Sequence, residues 1–228
     1  MAFLCHGRSV TESQQVKMTL GEIKMQALRL MFVQAADDYT VDEISELERD
    51  EECKDYIANM PGAINRCLSN LESRSVLPIK RAVLSGFSGE VYGGSVRYTL
   101  PQVLPDLFKI ERIAKENERG GYKSSVGYVK EGNTLMLSEI RDDERYIIMY
   151  RPRVARVNAF TDNNTVLDIP EHIAALIPYF IKSELYRIDE PDEAQEAKNW
   201  YENALADIGI EEESHQTKVK SVYSMEVV

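Results

Sequence analysis

The sequence contains little cysteine and no long apolar run. Its 228 residues include three cysteines, Cys5, Cys53 and Cys67, none of them in a CxxC spacing. Such cysteines do not make a disulfide framework, and no segment approaches the ~18 apolar residues of a membrane span. The apolar run at the start, from Ala2 to Cys5, is too short for a signal peptide. We therefore expect a protein of a reducing, aqueous compartment that does not bind a membrane.

Basic charge is also scarce, since 27 Lys and Arg residues face 38 Asp and Glu residues, a net charge of −11. This balance argues against a protein whose main affinity is for phosphate backbones, because such proteins present a basic surface. Ten acidic residues lie between Asp37 and Asp55, offset only by Arg49 and Lys54. We interpret this segment as a solvated helical face. The alternative is a surface that repels a like-charged polymer or meets a basic partner.

Motifs for catalysis, cofactors and metals are missing. GEVYGG, from Gly89 to Gly94, is similar to half of a protein-kinase glycine loop, but no VAIK, HRD or DFG follows it. We therefore predict a flexible connector there. Asp162-Asn163-Asn164 lacks the glycine and the distal glutamate of a calcium loop. The histidines, His6, His172 and His215, are far apart in sequence. We expect no enzyme, no cofactor and no metal site.

Two capping-box patterns predict where helices begin. Thr19 and Glu22 have the required spacing and precede an apolar stripe at helical intervals. Thr40 and Glu43 repeat the pattern at the start of the acidic segment. Both boxes pair a hydroxyl with a carboxylate three residues later, which satisfies two backbone N–H groups of a first turn.

A third helix is predicted with Pro61 in its first turn, where the missing N–H costs nothing. Beyond the proline an apolar stripe recurs at helical spacing, formed by Ile64, Cys67, Leu68 and Leu71. Cys67 belongs to this stripe, so we interpret it as a small buried hydrophobe rather than as a nucleophile.

The middle of the chain predicts an antiparallel β insert at about residues 96–157. The stretch from Ser85 to Pro105 is rich in Gly, Ser and Pro and predicts a long loop or loose hairpin. Three β-like stretches predict the strands of the insert: FKIERIAKE, SSVGYVKEGNTLML and ERYIIMYRPRV. Gly132-Asn133 predicts a hairpin turn within the second stretch.

Helices resume near Ile169. Asp168 is a candidate cap, Pro170 fits the first turn, and Pro178 falls within the pattern and should kink the helix. After the short Asp189-Glu190 link a second helix should run antiparallel to the first. The first stripe contains Ile173, Ile177, Phe180, Ile181, Leu185 and Ile188, and the second Ala194, Ala197, Tyr201, Ala204, Leu205 and Ile208.

The tail, residues 209–228, ends in VKSVYSMEVV. It is either a disordered end or a strand that adds to the sheet of another chain. In the strand, one face would carry Val219, Tyr223, Met225 and Val227. With Val222, these four residues are the candidate partner-binding residues of the tail.

Basic residues gather at one place, where Arg151, Arg153 and Arg156 surround Pro152. Alternation along a strand edge would put Arg151 and Arg153 on one side. The cluster either contacts phosphate or pairs with an acidic neighbouring chain. Because the chain is acidic, we favour the second interpretation.

The patterns together predict an α+β protein that is mainly α. A flexible segment, 1–17, precedes a domain at 18–208 and a partner-docking tail at 209–228. The domain consists of helices at 19–75, the loop and β insert at 76–157 and a helical pair at 169–208. It is a small helical bundle with an antiparallel β insert and extended N- and C-terminal segments.

Four stretches in this order resemble the head–tail connector proteins of tailed bacteriophages and prophages, also called adaptor or head-completion proteins. They are MTLGEIKMQALRLMF, YIANMPGAINRCL, the insert ending in IIMYRPRVARV, and IPEHIAALIPYFIKSELYRIDEPDEAQEAKNWYENAL. The resemblance covers roughly residues 18–208 and depends on structural motifs and their order.

The resemblance implies a structural virion protein that is made in the host cytoplasm and located at the head–tail junction. Twelve copies would form a ring beneath the portal protein, extend the DNA channel, help to retain packaged DNA and receive the tail or further connector proteins. DNA would pass without sequence-specific binding, which suits an acidic wall. A terminal segment that grips the portal would suit the tail. The alternative is a nucleic-acid-binding or regulatory module that uses the Arg151–Arg156 cluster.

Overall fold

The computed structural model describes residues 17–32, 39–85, 89–92, 95–116, 122–138 and 145–223. At 85, 92, 116, 122–125, 138 and 209–223 it gives the course of the backbone alone. The fold is α+β and mainly helical, as the sequence predicts. Apart from Lys17, the predicted flexible segment 1–17 lies outside the described residues.

Helices make up the first and last parts of the described chain, and the strands, with one short helix among them, make up the middle part. The helices are α1 Leu20–Met31, a 3-10 turn Val41–Glu43, α2 Ile44–Leu47, α3 Lys54–Ser73, α4 Leu100–Val103, α5 Glu171–Ala174, α6 Ile177–Leu185 and α7 Pro191–Tyr223. The strands are β1 Lys80–Ser85, β2 Glu90–Tyr92, β3 Ser95–Thr99, β4 Leu107–Glu116, β5 Tyr122–Ser125, β6 Tyr128–Glu131, β7 Thr134–Ser138 and β8 Arg145–Pro152. None of the described helices has the length and hydropathy needed to cross a membrane.

Both predicted capping boxes are confirmed. Thr19 Oγ1 accepts a hydrogen bond from the Glu22 amide at 3.2 Å, and the Glu22 carboxylate accepts one from the Thr19 amide at 2.7 Å. The Glu43 carboxylate accepts from the amide and the hydroxyl of Thr40, each at 2.8 Å, and this box opens the 3-10 turn before α2.

A distant loop completes the N-terminus of α1. The Leu20 amide donates to the Thr165 carbonyl at 2.8 Å, and the Gly21 amide donates to the Asn163 carbonyl at 2.7 Å. A Cβ atom on Gly21 would lie 2.4 Å from Val41 Cγ1, so this close approach requires glycine. The loop thereby satisfies amides that a helix leaves without partners.

The first turn of α3 is not at Pro61, so that prediction is wrong. The helix begins at Lys54, and Pro61 lies inside it. Proline removes one backbone hydrogen bond there, but Ile57, Met60 and Ile64 are buried on either side of it. The packed apolar face therefore keeps the helix continuous through the proline.

Three predictions about the segment from Asp168 to Ile188 are also wrong. Pro178 does not kink a continuous helix, because α5 ends at Ala174 and the proline occupies the first turn of α6. Asp168 is not the cap of α5, since Pro170 takes that position instead of the first turn. Ile188 follows the end of α6 and is 84% exposed.

Helix α6 is the centre of the helical body, because it contacts α1, α3 and α7. The predicted antiparallel pairing of α6 with α7 is confirmed. Tyr179 of α6 stacks on Trp200 of α7 with the ring centroids 3.5 Å apart. Lys182, which follows Tyr179 in α6, forms a 2.6 Å ion pair with Glu193, which precedes Trp200 in α7, so the two helices run in opposite directions. The predicted stripe of α7 is buried at Ala194, Ala197, Tyr201 and Leu205 and partly buried at Ala204 and Ile208.

The β insert consists of two antiparallel four-stranded sheets. Sheet A has the strand order β1-β8-β4-β5, and sheet B has the order β2-β3-β7-β6. Their facing sides form a second core that includes Leu84, Val96, Tyr98, Ile113, Leu135, Tyr146 and Ile148. The Gly132-Asn133 turn is confirmed between β6 and β7, with the Gly132 φ angle at 54°.

The insert begins at Lys80, earlier than predicted. The stretch predicted as a long loop or loose hairpin contains the β2–β3 hairpin and α4. Within GEVYGG, Glu90–Tyr92 form β2 rather than a flexible connector, and Gly93 and Gly94 lie outside the described residues. In β3, Val96 and Tyr98 are buried and Arg97 between them is exposed, which is the alternation typical of a strand. The surrounding glycines and serines had indicated a loop instead.

Replacing Thr19 with Ala should lower the free energy of unfolding by about 1 kcal/mol, because the Glu22 amide loses its acceptor. Urea denaturation measures the change. Thr99→Ala is the matched control, since Thr99 is exposed and precedes α4 without a side-chain capping bond. Equal losses in the two variants would contradict the assigned role of the capping box.

Candidate interaction surfaces

A buried carboxylate joins the helical body to the β insert. Glu72, in the last turn of α3, is 4% exposed. It accepts hydrogen bonds from the Val154 amide at 2.9 Å and from Arg156 Nη2 at 2.7 Å. A buried carboxylate needs such donors, because leaving it unpaired in an apolar surrounding is costly. The chain that leaves β8 is thereby fixed to the end of α3.

A side-chain amide adds a second clasp to the same segment. Asn65 Nδ2 donates to the Val157 carbonyl at 2.7 Å, and Asn65 Oδ1 accepts from the Val157 amide at 3.0 Å. The paired bonds mimic one rung of a β ladder. The segment that follows β8 is therefore bound to α3 at two points, Glu72 and Asn65.

A charged network centred on Lys80 links the insert to the segment before α5. Lys80 Nζ donates to Asp106 at 2.9 Å and to Asp168 at 2.7 Å. The Tyr150 hydroxyl also donates to Asp106, at 2.9 Å, and Lys17 Nζ donates to Asp168 at 2.6 Å. Asp168, which the sequence analysis predicted as a helix cap, instead accepts hydrogen bonds from these two lysines.

Asp168, Asp106 and Lys80 are charged at neutral pH. Hydrogen bonds from Lys17 and Lys80 hold the pKa of Asp168 at about 2. Partial burial acts to raise the pKa of Asp106, but hydrogen bonds from Lys80 and Tyr150 outweigh it and lower that pKa. Burial also acts to lower the pKa of Lys80, and the two carboxylates more than offset it. We interpret the cluster as a structural clasp rather than as an acid–base site.

The fold separates the predicted arginine cluster. Arg151 is 7% exposed; its Nη1 donates to the Leu77 carbonyl, and its Nε lies 3.4 Å from the Glu111 carboxylate. Arg156 binds Glu72. Arg153 follows the end of β8 and is exposed, with its guanidinium 5.9 Å from the centre of the Phe108 ring. The prediction that Arg151 and Arg153 share one side of a strand edge is therefore wrong.

The tail contains a helix where the sequence analysis offered disorder or a strand. Helix α7 continues to Tyr223, so a strand over Val219, Val222 and Tyr223 is wrong, while Met225 and Val227 lie outside the described residues. Once the packed part of the helix has formed, each further residue adds a hydrogen bond, which favours continuation. From 209 to 223 the backbone extends about 22 Å at 1.5 Å per residue.

For two apolar side chains, Phe160 and Ile188, the sequence analysis did not predict the high exposure that the structure shows. Phe160 is 97% exposed on a loop that lines a cleft of about 330 Å³ with Val41 and Asp42. Asn158 Oδ1 accepts from the Phe160 amide at 2.8 Å and fixes this loop. Ile188 is exposed in the turn between α6 and α7. The only signal for Phe160 was one aromatic residue among polar neighbours, and single exposed apolar residues are common.

The buried thiol of Cys67 does not provide a nucleophile. Cys67 is fully buried, as predicted, and its thiol lies 3.8 Å from the Tyr201 hydroxyl, which in turn donates to Asn70 at 2.9 Å. Burial raises the pKa of Cys67 to about 12, so the unreactive thiol form persists at neutral pH. In the part of the chain that the structure describes, no three His, Cys, Asp or Glu side chains are placed to hold a metal ion.

No protein-family model matches this chain, and no curated protein matches it in sequence.

Glu72→Gln should lower the free energy of unfolding by about 1–3 kcal/mol, because Arg156 loses its charged partner and the Val154 amide a strong acceptor. Glu202→Gln is the matched control. Glu202 binds Arg74 through two hydrogen bonds of 2.6 and 2.9 Å, but both side chains are over a third exposed. Its loss should stay below about 1 kcal/mol. A Glu72→Gln loss no larger than the control's would contradict the junction role.

The contribution of Asp168 should depend on pH in the acid range. Its pKa in the folded state, about 2, lies below its ordinary value of 3.8, so its ion pairs stabilise the fold above about pH 4. The stability difference between the protein and Asp168→Asn should shrink between about pH 4 and pH 2 and vanish below about pH 2. Because the side chain is 58% exposed, we expect at most about 1 kcal/mol at neutral pH. Asp207→Asn, at an exposed position of α7, is the control, and an unchanged difference for Asp168→Asn between pH 4 and pH 2 would refute the linkage.

Proposed function

We propose that this protein is a head–tail connector of a tailed bacteriophage or prophage. Copies assemble into a ring, of twelve by the resemblance, between the portal protein and the tail. The ring extends the DNA channel, helps to retain packaged DNA and is located in the virion. The protein acts as a structural subunit without catalysis or cofactor.

The course of α7 carries this proposal. Its first half packs against α6 through Tyr179 and Trp200, and through Phe180 and Tyr201, whose ring centroids lie 5.1 Å apart at 69°. Beyond Ile208 the same helix continues to Tyr223. A single helix anchored at one end offers a terminal segment for docking into a partner, which is the expected role of residues 209–228.

Charge supports the same proposal. A net charge of −11 suits a protein past which DNA must slide, because a basic lumen would retain the phosphate backbone. Ring closure also requires two different complementary surfaces on each copy.

The alternative of a nucleic-acid-binding module receives less support. Arg151 is buried beside Glu111, and Arg156 is paired with the buried Glu72. Within the predicted cluster, Arg153 is left as the exposed arginine without a carboxylate partner in the described ion pairs. One arginine does not supply the several phosphate contacts that nucleic-acid affinity requires.

The test is mass photometry of the protein mixed with a candidate portal ring. We expect a ring-sized complex that is lost when residues 209–228 are deleted. Ser214→Pro should also abolish it, because proline in a helix interior costs about 3 kcal/mol or more, while Ser214→Ala should retain it. Retention of the complex by the deletion variant, or no complex with any portal ring, would sink the proposal.

A further inference from the structure

One aromatic side chain projects from a loop that hydrogen bonds hold in place. Phe160 is 97% exposed, so it contacts almost nothing in its own molecule. Asn158 Oδ1 accepts from the Phe160 amide at 2.8 Å, and the Thr161 hydroxyl accepts from the Asn158 amide at 2.9 Å. The Gly21 amide of α1 donates to the Asn163 carbonyl of the same loop at 2.7 Å. An aromatic side chain on a loop fixed in this way loses little conformational entropy on binding, which is typical of an interface anchor.

Two exposed carboxylates flank this aromatic side chain. Asp42 and Asp162 line the same cleft as Phe160. Within the part of the chain that the structure describes, neither carboxylate forms an ion pair, and Asp162 accepts a hydrogen bond from the Asn164 amide of its own loop at 2.8 Å. Both negative charges are therefore available to a partner. We call Phe160 together with Asp42 and Asp162 the acidic knob.

A groove between α6 and α7 has room for an aromatic ring. Its volume is about 290 Å³, and its lining includes Phe180, Ala194 and Tyr201. The rings of Phe180 and Tyr201 pack edge to face, with their centroids 5.1 Å apart. Because an apolar cavity of about 150 Å³ already holds a benzene ring, a phenyl side chain fits this groove.

The carboxylates of the groove are already paired. Glu184 forms an ion pair of 2.9 Å with Arg66 of α3. Glu202 forms one of 2.6 Å with Arg74, which directly follows α3. These are the acidic residues that line the groove, so its acidic charge is offset within the molecule.

The basic side chains of the groove are free to bind a partner. Arg187 and Lys198 are exposed and line the groove on its α6 and α7 sides. Neither forms an ion pair or a side-chain hydrogen bond with any residue that the structure describes. The groove therefore combines an apolar lining with two unpaired positive charges, whereas the acidic knob combines an aromatic ring with two unpaired negative charges.

The knob and the groove are at different ends of α1, so they do not meet within one molecule. The loop of Phe160 binds the first turn of α1 through Gly21. The part of α6 that lines the groove is bound to the other end of α1, where Lys182 Nζ donates to the Leu30 carbonyl at 2.8 Å. The 12 residues of α1 span about 18 Å. Contact between two such different surfaces joins copies head to tail, which is the arrangement that closes rings.

We infer that the acidic knob of one copy of this chain inserts Phe160 into the α6–α7 groove of a neighbouring copy. The two carboxylates of the knob then face Arg187 and Lys198, so charge fixes the orientation while the ring supplies the buried apolar area. The contact rests on the proposed function, because it supplies the heterologous interface of the connector ring.

Zero-length cross-linking tests this contact on the protein without any portal. A carbodiimide joins carboxylates to amines, and Lys198 is the amine at the rim of the groove. In an equimolar mixture of isotopically light and heavy protein, mass spectrometry should find mixed-isotope links between Lys198 and Asp42 or Asp162. Absence of these links at high protein concentration would overturn the inference.

Loss of either surface should lower the yield of this link at least about tenfold. Phe160→Ser removes the ring, and Gln195→Trp fills the groove, because Gln195 is exposed and lines it. Val91→Ser is the matched control, since it removes an apolar side chain that is 67% exposed on β2, and it should leave the yield unchanged. Circular dichroism confirms that each variant folds. An equal yield in Phe160→Ser and Val91→Ser would contradict the role of the ring.

A mixture of the two interface variants gives the direction of the contact. Heavy Phe160→Ser protein keeps the groove, and light Gln195→Trp protein keeps the knob. The mixed-isotope link should therefore return with Lys198 in the heavy peptide and the aspartate in the light peptide. No recovery, or recovery with the opposite isotope pattern, would also overturn the inference.

Portal binding separates this inference from the proposed function. Portal capture without the link would overturn the contact between copies while leaving the connector function intact. The link without portal capture supports the contact and counts against the connector function alone.

Discussion

The buried carboxylate of Glu72 is the constraint on which the arrangement of this molecule depends. It accepts from the Val154 amide and from Arg156, and so fixes the chain that leaves the β insert to the end of α3. A buried charge is tolerated only where such donors are in place. From this point the chain reaches the N-terminus of α1 and brings Asp168 to Lys80. Body and insert are thereby held in one arrangement.

Helix α3 separates the acidic segment from the β insert, because the acidic segment leads into its start and the insert follows its end. The aromatic contacts between α6 and α7 fix the base of a helix that runs on to Tyr223. In the proposed connector, this helix would be the segment that docks into the partner.

Features set by neighbouring residues were predictable from the sequence. The two capping boxes, the Gly132-Asn133 turn, the stripe of α7 and the burial of Cys67 all depend on residues a few positions apart. The positions of prolines within helices were harder to predict, because Pro61 is also tolerated inside a helix whose apolar face is well packed. Similarly, Pro178 begins a new helix rather than bending one. In each case tertiary burial decided which of the local possibilities formed.

The sequence by itself determined the mainly helical α+β class, the turn and cap positions and the acidic character of the chain, because these depend on composition and short-range hydrogen bonds. Only the tertiary structure decided the contacts of the arginines: Arg156 binds Glu72, 84 positions away, and Arg151 is buried beside Leu77. The physical reason is that pairing and burial of charge depend on which distant segments meet, and spacing in the sequence does not encode that meeting directly.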